Sequence, residues 1–139
     1  ISAQIRWSKV LRKTEILPLV WLAYEAINHA NEINDRVIAG FNLLKNKDIT
    51  LFNQSVLLEG VNDNVTVLSN LSEQLFSHGV IPYYLHLLDK ATGTGHFEVS
   101  ESSAIAIITK LQAMLPGYLI PKLVKEQAGG LSKQPVHFP

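Results

Sequence analysis

Residues 51–88 read LFNQSVLLEGVNDNVTVLSNLSEQLFSHGVIPYYLHLL, and this stretch decides the fold because it holds one complete strand–helix–strand unit. Its two ends, 51–58 and 80–88, are short runs rich in Val, Leu and Tyr, the composition of buried strands. The stretch between them spaces its leucines along one helical face, at Leu68, Leu71 and Leu75. Asn62 or Asp63 precedes this helix as its predicted cap. A strand, a helix and a strand in this order predict a parallel pair of strands.

The same alternation continues on both sides of this unit. Residues 22–27 are predicted as an earlier strand, and residues 118–124 as a later one that Pro121 interrupts. A helix follows the earlier strand, with the apolar face Ile33, Val37, Phe41 and Leu44. Ser100 or Ser102 caps another helix, with the apolar face Ala104, Ile107, Ile108, Leu111 and Leu115. The sequence therefore predicts an α/β fold of about four parallel strands with flanking helices.

We divide the chain into three parts on this basis. Residues 1–20 have mixed character and are predicted as a helix, residues 21–126 form the α/β body, and residues 127–139 form a loop and tail. A parallel sheet of only four strands leaves apolar surface and strand edges uncovered. We therefore expect either a missing N-terminal half or a homodimer that forms through the exposed sheet edges.

Composition excludes several classes of function. The 139 residues include 12 basic and 12 acidic side chains, so no general attraction for nucleic acid or an anionic membrane is expected. The uncharged stretch 16–24 is too short to span a bilayer, and no cationic leader precedes it, which predicts a cytoplasmic protein. The chain has no cysteine, which excludes disulfides and thiolate-bound metal clusters, and we expect no metal site in it.

Polar residues follow each predicted strand, at the edge where parallel α/β sheets bind their ligands. They are Asn28, His29, Asn31 and Glu32, then Glu59, Asn62 and Asp63, then Asp89, Lys90, His96 and Glu98, and finally residues 126–133. Loops are polar in any protein, so composition alone favours solvated connections for each of them. In the last group, Gly129 and Gly130 precede Lys133, a lysine that could form a Schiff base once desolvated. By itself this pattern is more typical of a flexible turn.

Six segments taken together favour function over solvated loops. In order and with similar spacing, they resemble the C-terminal half of lysine 2,3-aminomutase-like proteins. The segments are NHANEI at 28–33, NQSVLL at 53–58, GVND at 60–63, PYYLHLLD at 82–89, GHF at 95–97 and the stretch 117–133. The resemblance covers residues 27 to about 137. The third strand looks closest to the branch that makes β-lysine for elongation factor P, which implies a functional link to that factor.

The resemblance implies a radical S-adenosylmethionine isomerase that converts L-lysine to β-lysine. Its fold would be the C-terminal half of a radical S-adenosylmethionine barrel, a partial (β/α) barrel. In this family a reduced 4Fe-4S cluster cleaves S-adenosylmethionine, and pyridoxal phosphate carries the migrating amino group. The cysteine motif CxxxCxxC of the cluster belongs to the N-terminal half and is absent here. S-adenosylmethionine and the cluster are therefore expected only in the full-length parent, and this chain alone is expected to be inactive.

The resemblance also implies roles for five residues. Lys133 matches the catalytic lysine that binds pyridoxal phosphate. Asp89 and Glu126 match the two acidic positions that hold the distal ammonium of substrate lysine, with glutamate here in place of an aspartate. His29 and Gln54 match positions near the nucleotide and the cofactor.

The chain departs from the family at one further position. Glu59 stands where the family usually has an arginine, and this reverses a charge at the end of a strand. Residues 1–26 fit the family poorly, and the arginine that would bind the substrate carboxylate lies in the missing half.

Two other functions remain open at this point. The chain could be a non-catalytic remnant that binds pyridoxal phosphate or a protein partner such as elongation factor P, and Glu59 and the absent cysteines favour this alternative. It could also be an unrelated α/β domain that binds a small phosphate at Gly93-Thr94-Gly95, although this glycine pair lacks the full dinucleotide-binding fingerprint.

Overall fold

The computed structural model describes residues 5–10, 20–88, 95–125 and 133–139. These residues form six strands: β1 Ile5–Val10, β2 Val20–Glu25, β3 Thr50–Leu57, β4 Val80–Leu87, β5 Lys122–Lys125 and β6 Gln134–Pro135. They also form three α-helices: α1 Asp35–Lys45, α2 Val65–Ser77 and α3 Glu101–Met114. Short 3-10 turns lie at Ala30–Glu32, Gly95–Phe97 and Gly117–Leu119.

The six strands form one sheet in sequential order, β1-β2-β3-β4-β5-β6. Strands β2 to β5 are parallel, which confirms the predicted α/β fold, whereas β1 and β6 pair antiparallel at the two sides. β5 is shorter than the predicted 118–124, because Gly117–Leu119 form a 3-10 turn and the strand begins only after Pro121. The described strands form a single sheet, and no closed barrel is seen among them. The predicted partial barrel and homodimer stay predictions.

The N-terminal segment corrects one expectation. Residues 1–20 were expected to form a helix, but Ile5–Val10 is a strand that pairs along its whole length with Val20–Glu25. The physical reason is that the outer parallel strand presents a row of unpaired main-chain groups, and an added strand satisfies them. A prediction from local pattern cannot include this long-range partner.

The helices begin at polar caps, and one cap differs from the prediction. Asn64 caps α2, since its side chain accepts from the main-chain N–H of Thr66 at 2.8 Å and of Val67 at 3.3 Å. Asn62 and Asp63 were predicted for this role, but Asn62 is buried and Asp63 accepts from the N–H of Gly60. The predicted cap Ser100 does begin α3.

The hydrophobic core lies between one face of the sheet and the helices. One cluster joins strand leucines to α2 and α3, and includes Leu57, Leu68, Leu85, Ile108, Leu111 and Leu123. A second cluster joins α1 and α2 to the sheet, and includes Ile27, Phe41, Leu44, Leu51, Leu71, Leu75 and Val80. Leu51 and Leu57 lie on the same face of β3, so both clusters are on one side of the sheet, as expected for crossovers of one hand.

The opposite face of the sheet, which we call the open face, carries the polar and aromatic side chains. In β3, burial alternates along the strand, so that Asn53 and Ser55 point to the helices and Phe52 and Gln54 point to the open face. In β4, an irregularity shifts the register, because Asn53 pairs with Pro82 but the next residue, Gln54, pairs with Tyr84.

Candidate functional site

The candidate site lies at the C-terminal edge of the parallel strands and on the adjoining open face. β6 runs antiparallel to β5, with Gln134 opposite Lys125, so β6 begins where β5 ends. Lys133 directly precedes β6 and therefore lies at this edge. The predicted pyridoxal-phosphate lysine is thus at the edge where parallel α/β sheets bind ligands.

A row of aromatic rings crosses the open face near Lys133. The ring centroids of Phe52 and Tyr83 are 5.2 Å apart, those of Tyr83 and Tyr84 are 4.3 Å apart, and those of Tyr84 and His86 are 5.8 Å apart. Interplanar angles of 62° to 68° give each pair the edge-to-face arrangement that aromatic quadrupoles favour. The row forms an apolar, π-rich surface.

Two lysines lie over adjacent rings of this row. Lys133 Nζ is 5.4 Å from the centroid of the Tyr84 ring, and Lys122 Nζ is 5.1 Å from that of Tyr83. Both distances are within the range of about 6 Å over which a ring face attracts a cation. Lys133 is half-buried, whereas Lys122 is exposed. The two contacts are similar in geometry but differ in solvation.

Gln54 and His86 are joined on the open face. His86 Nε2 lies 3.1 Å from Gln54 Oε1, and because an amide oxygen only accepts, the imidazole is the donor. Gln54 was predicted near the cofactor, but the prediction from sequence missed His86. The signal was present in the alternation of PYYLHLL, which puts His86 two residues from Tyr84 and on the same face.

Buried asparagines hold the main chain at the strand ends. Asn53 Oδ1 accepts from the N–H of Ile27 at 2.9 Å, and Asn53 Nδ2 donates to the oxygen of Ile27 at 2.9 Å and to Ser55 Oγ at 2.8 Å. Ser55 Oγ donates in turn to the oxygen of Ile27 at 2.8 Å. Every polar group of the Asn53 amide therefore has a partner, and the segment after β2 is fixed to β3.

Asn62 and Asn28 form a second part of this arrangement. Asn62 Oδ1 accepts from the N–H of Leu58, and Asn62 Nδ2 donates to the oxygens of Asn28 and Val56, at distances of 2.8 to 2.9 Å. Asn28 Oδ1 accepts from the N–H of Val56 at 2.8 Å. Both asparagines had been picked out as polar residues at strand ends, and the structure uses their amides to position main chain.

His29 also has a local structural role. Its Nδ1 accepts from the N–H of Asn31 at 3.1 Å, which caps the 3-10 turn at Ala30–Glu32. Glu32 Oε2 accepts from the N–H groups of Asn28 and His29 at 2.6 and 3.0 Å, which completes a capping box. A cofactor contact of His29 stays a prediction.

Several predicted residues lie outside the described residues. These are Asp89 and Glu126 of the predicted ammonium site, Lys90, the glycines at 129 and 130, and Gly93 and Thr94 of the alternative phosphate loop. Lys125, at the end of β5, contacts Glu101, with 2.8 Å between Lys125 Nζ and Glu101 Oε2. Glu59 is exposed, and its N–H donates to the oxygen of Phe97 at 2.9 Å.

Two further observations concern metal binding and membranes. Within the part of the chain that the structure describes, no group of three or more histidine, aspartate or glutamate side chains could hold a metal ion. No helix among the described residues has both the length and the apolar character needed to cross a membrane.

Comparisons with known proteins find several curated relatives that carry one name. No family model matches the chain. The chain is 48% identical over 125 residues to the L-lysine 2,3-aminomutase of Buchnera aphidicola, a match that covers 90% of the chain and 36% of that relative. It is 49% identical over 110 residues to the enzyme of the same name from Escherichia coli, covering 79% and 32%. It is 40% identical over 117 residues to that of Clostridium subterminale, covering 84% and 28%. The chain thus spans about a third of the length of the curated relatives it matches.

Proposed function

Because the chain belongs, over the length it spans, to the lysine 2,3-aminomutase family, we propose that it is the pyridoxal-phosphate-binding part of an enzyme that converts L-lysine to β-lysine. The observation that carries this proposal is the place of Lys133. This lysine is half-buried at the C-terminal edge of a parallel sheet, with Nζ 5.4 Å from the Tyr84 ring. A half-barrel that presents this edge to its ligands would be the matching fold.

The residues at this edge fit pyridoxal phosphate. When bound, the cofactor supplies an aldehyde that condenses with an amine, with loss of one water, and a ring that withdraws electrons from the attached amino group. Lys133 offers the amine at the C-terminal edge of the sheet. The aromatic row of Phe52, Tyr83, Tyr84 and His86 offers a π-rich surface on the same face.

The residues of this chain do not fit a 4Fe-4S cluster. Such clusters need cysteine thiolates, and the chain contains no cysteine. In the proposed enzyme, the cluster would be bound by residues outside these 139, and S-adenosylmethionine would bind only in the full-length parent. The chain by itself would therefore hold the pyridoxal phosphate without generating a radical.

Substrate recognition would involve Asp89 and Glu126. They follow β4 and β5, which are neighbours in the sheet, and neighbouring strands lie about 4.8 Å apart. Two carboxylates at this spacing would bind one ammonium group, which suits the distal amine of lysine. The PYYLH segment at 82–86 supports the branch of the family that serves elongation factor P.

Reductive trapping tests the proposal. The chain is incubated with pyridoxal phosphate, reduced with borohydride, digested, and analysed by mass spectrometry. The pyridoxyl group is expected on Lys133, and Lys133→Arg is expected to lose it. Equal labelling of Lys122, Lys125 and Lys133 would mean that Lys133 is an ordinary surface lysine and would overturn the proposal.

The second candidate function is a remnant that binds pyridoxal phosphate without catalysis. Glu59 favours it, since an exposed carboxylate stands where the family usually has an arginine. A chimera separates the two candidates: this chain replaces the matching segment of the Escherichia coli relative, which supplies the rest of the enzyme. Formation of β-lysine by the chimera supports the enzyme. Its absence, with recovery in the Glu59→Arg chimera, supports the remnant.

A further inference from the structure

The aromatic row contains two lysine–tyrosine contacts of similar geometry that differ in the burial of the lysine. Tyr83 and Tyr84 are adjacent in sequence, and each ring has a lysine Nζ over it, at 5.1 Å for Lys122 and 5.4 Å for Lys133. Lys122 is an exposed residue of β5, whereas Lys133 is half-buried and directly precedes β6.

We propose that Tyr84 is a positioning residue for Lys133, and that the face of its ring holds Nζ over the open face where pyridoxal phosphate would attach. This inference rests on the proposed function, because it takes Lys133 as the attachment point. A flexible lysine side chain loses much of its rotamer freedom when its ammonium is held in one place. A ring face beneath the ammonium restricts it to the rotamers that keep Nζ at the edge of the sheet.

The irregularity in β4 is what puts the Tyr84 ring there. Pro82 is buried on the helix side, so strict alternation would point Tyr83 to the open face and Tyr84 to the helices. The register instead shifts by one residue, with Asn53 opposite Pro82 and Gln54 opposite Tyr84. The extra residue lets both tyrosines contribute to the open face, and bulges often redirect side chains in this way beside functional sites.

The Tyr84 ring is itself held on both sides. The Tyr83 ring is 4.3 Å away and the His86 ring 5.8 Å away, and His86 is fixed by its 3.1 Å contact with Gln54. Tyr84 also belongs to a strand with neighbours on both sides, since it pairs with Gln54 of β3 and Lys122 of β5. A ring fixed on a strand is a better reference point for Lys133 than another loop residue would be.

The test compares four forms of the chain: wild type, Tyr84→Leu, Tyr84→Phe and Tyr118→Leu. Each is treated with pyridoxal phosphate and borohydride, and the label on Lys133 is divided by the label on Lys110, an exposed lysine of α3. Circular dichroism confirms folding. Tyr84→Leu is expected to lower this ratio by about two- to fivefold, because without the ring beneath it Nζ samples rotamers that carry it away from the edge of the sheet. Tyr84→Phe keeps the ring and should keep the ratio, and so should Tyr118→Leu, which removes an exposed tyrosine ring that is not part of the aromatic row.

The outcomes distinguish a failure of the proposed function from a failure of the positioning role of Tyr84. A wild-type ratio near one would overturn the proposed function itself. A high wild-type ratio that Tyr84→Leu leaves unchanged, or that Tyr118→Leu lowers equally, would overturn only the positioning role. Should Tyr84→Leu fail to fold, NMR of the wild type decides: the ε-protons of Lys133 should be shifted upfield by the ring relative to those of Lys110. Equal shifts for the two lysines would overturn the positioning role.

Discussion

Asn62 Nδ2 donates to the main-chain oxygen of Asn28 at 2.9 Å, and this contact joins the loop after β3 to the segment after β2. The Asn62 side chain is 0% exposed, and its amide uses both N–H groups and its oxygen on main-chain partners. The C-terminal edge of the sheet thus has a rigid polar support beneath its loops.

We expect Asn62→Ala to destabilise the fold by about 2 to 4 kcal/mol, because it leaves three buried or part-buried main-chain groups without this partner. Urea unfolding measures the free energy. Asn64→Ala is the matched control, since Asn64 is an exposed helix cap whose loss typically costs about 1 kcal/mol. Equal costs for the two substitutions would contradict the structural role assigned to Asn62.

A buried leucine of the core can be compared in the same way with an exposed leucine. Leu85 is 0% exposed, within the cluster that joins β4 to α2 and α3, whereas Leu43 on α1 is 59% exposed. Leu85→Ala should cost about 2 to 5 kcal/mol through lost contacts and the cavity it leaves. Leu43→Ala should change the free energy of unfolding by less than about 0.5 kcal/mol. A small cost at both positions would mean that the sheet does not pack against these helices.

Much of this core was predictable from the sequence, because it follows from local periodicity. Strands at 51–58 and 80–88 and a leucine face on the helix between them correspond to the observed β3, β4 and α2 within a residue at the strand ends. The pairing of Ile5–Val10 was not predictable in this way, since it depends on a partner strand that local pattern does not specify.

The candidate site was predictable only in part. Resemblance to a family indicated Gln54 and Lys133, but the pairing of Gln54 with His86 depends on register across two strands. The contact of Lys133 with Tyr84 depends on a one-residue irregularity that strict alternation hides. The asparagines at the strand ends were chosen for their polarity, and only the three-dimensional contacts reveal that they bind main chain.

The ion pair between Glu101 and Lys125 should contribute little to the free energy of unfolding. Its atoms are 2.8 Å apart, but the side chains are 45% and 38% exposed, so solvent screens the attraction. Glu101→Gln is expected to lower the free energy of unfolding by less than about 1 kcal/mol in low salt. At 1 M salt, where the Debye length is about 3 Å, the loss should be close to zero. Urea unfolding at the two salt concentrations measures this. A cost that persists at high salt would mean that the pair is less solvated than its exposure indicates.

The predicted ammonium site leads to the last prediction, which concerns Asp89 and Glu126. Both lie outside the described residues, but the strands that precede them are described, and Tyr84, Leu85 and His86 of β4 pair directly with residues of β5. Side chains that follow adjacent parallel strands can converge on one cation. Without a cation, two adjacent carboxylates repel, whereas a bound ammonium removes the repulsion and donates hydrogen bonds to both.

In the chimera with the Escherichia coli relative, Asp89→Asn and Glu126→Gln should each weaken lysine binding by about 1.5 to 3 kcal/mol, the usual cost of losing a charged hydrogen bond. Each amide keeps the shape of the side chain and removes only its charge, so labelling of Lys133 by pyridoxal phosphate should be unchanged. Isothermal titration with lysine measures the affinity, and norleucine, which has no distal amine, is the matched ligand. The two variants should bind norleucine as the unmodified chimera does, because that ligand never contacts the carboxylates. Unchanged lysine affinity in both variants, with Lys133 still labelled, would show that the distal ammonium is bound elsewhere.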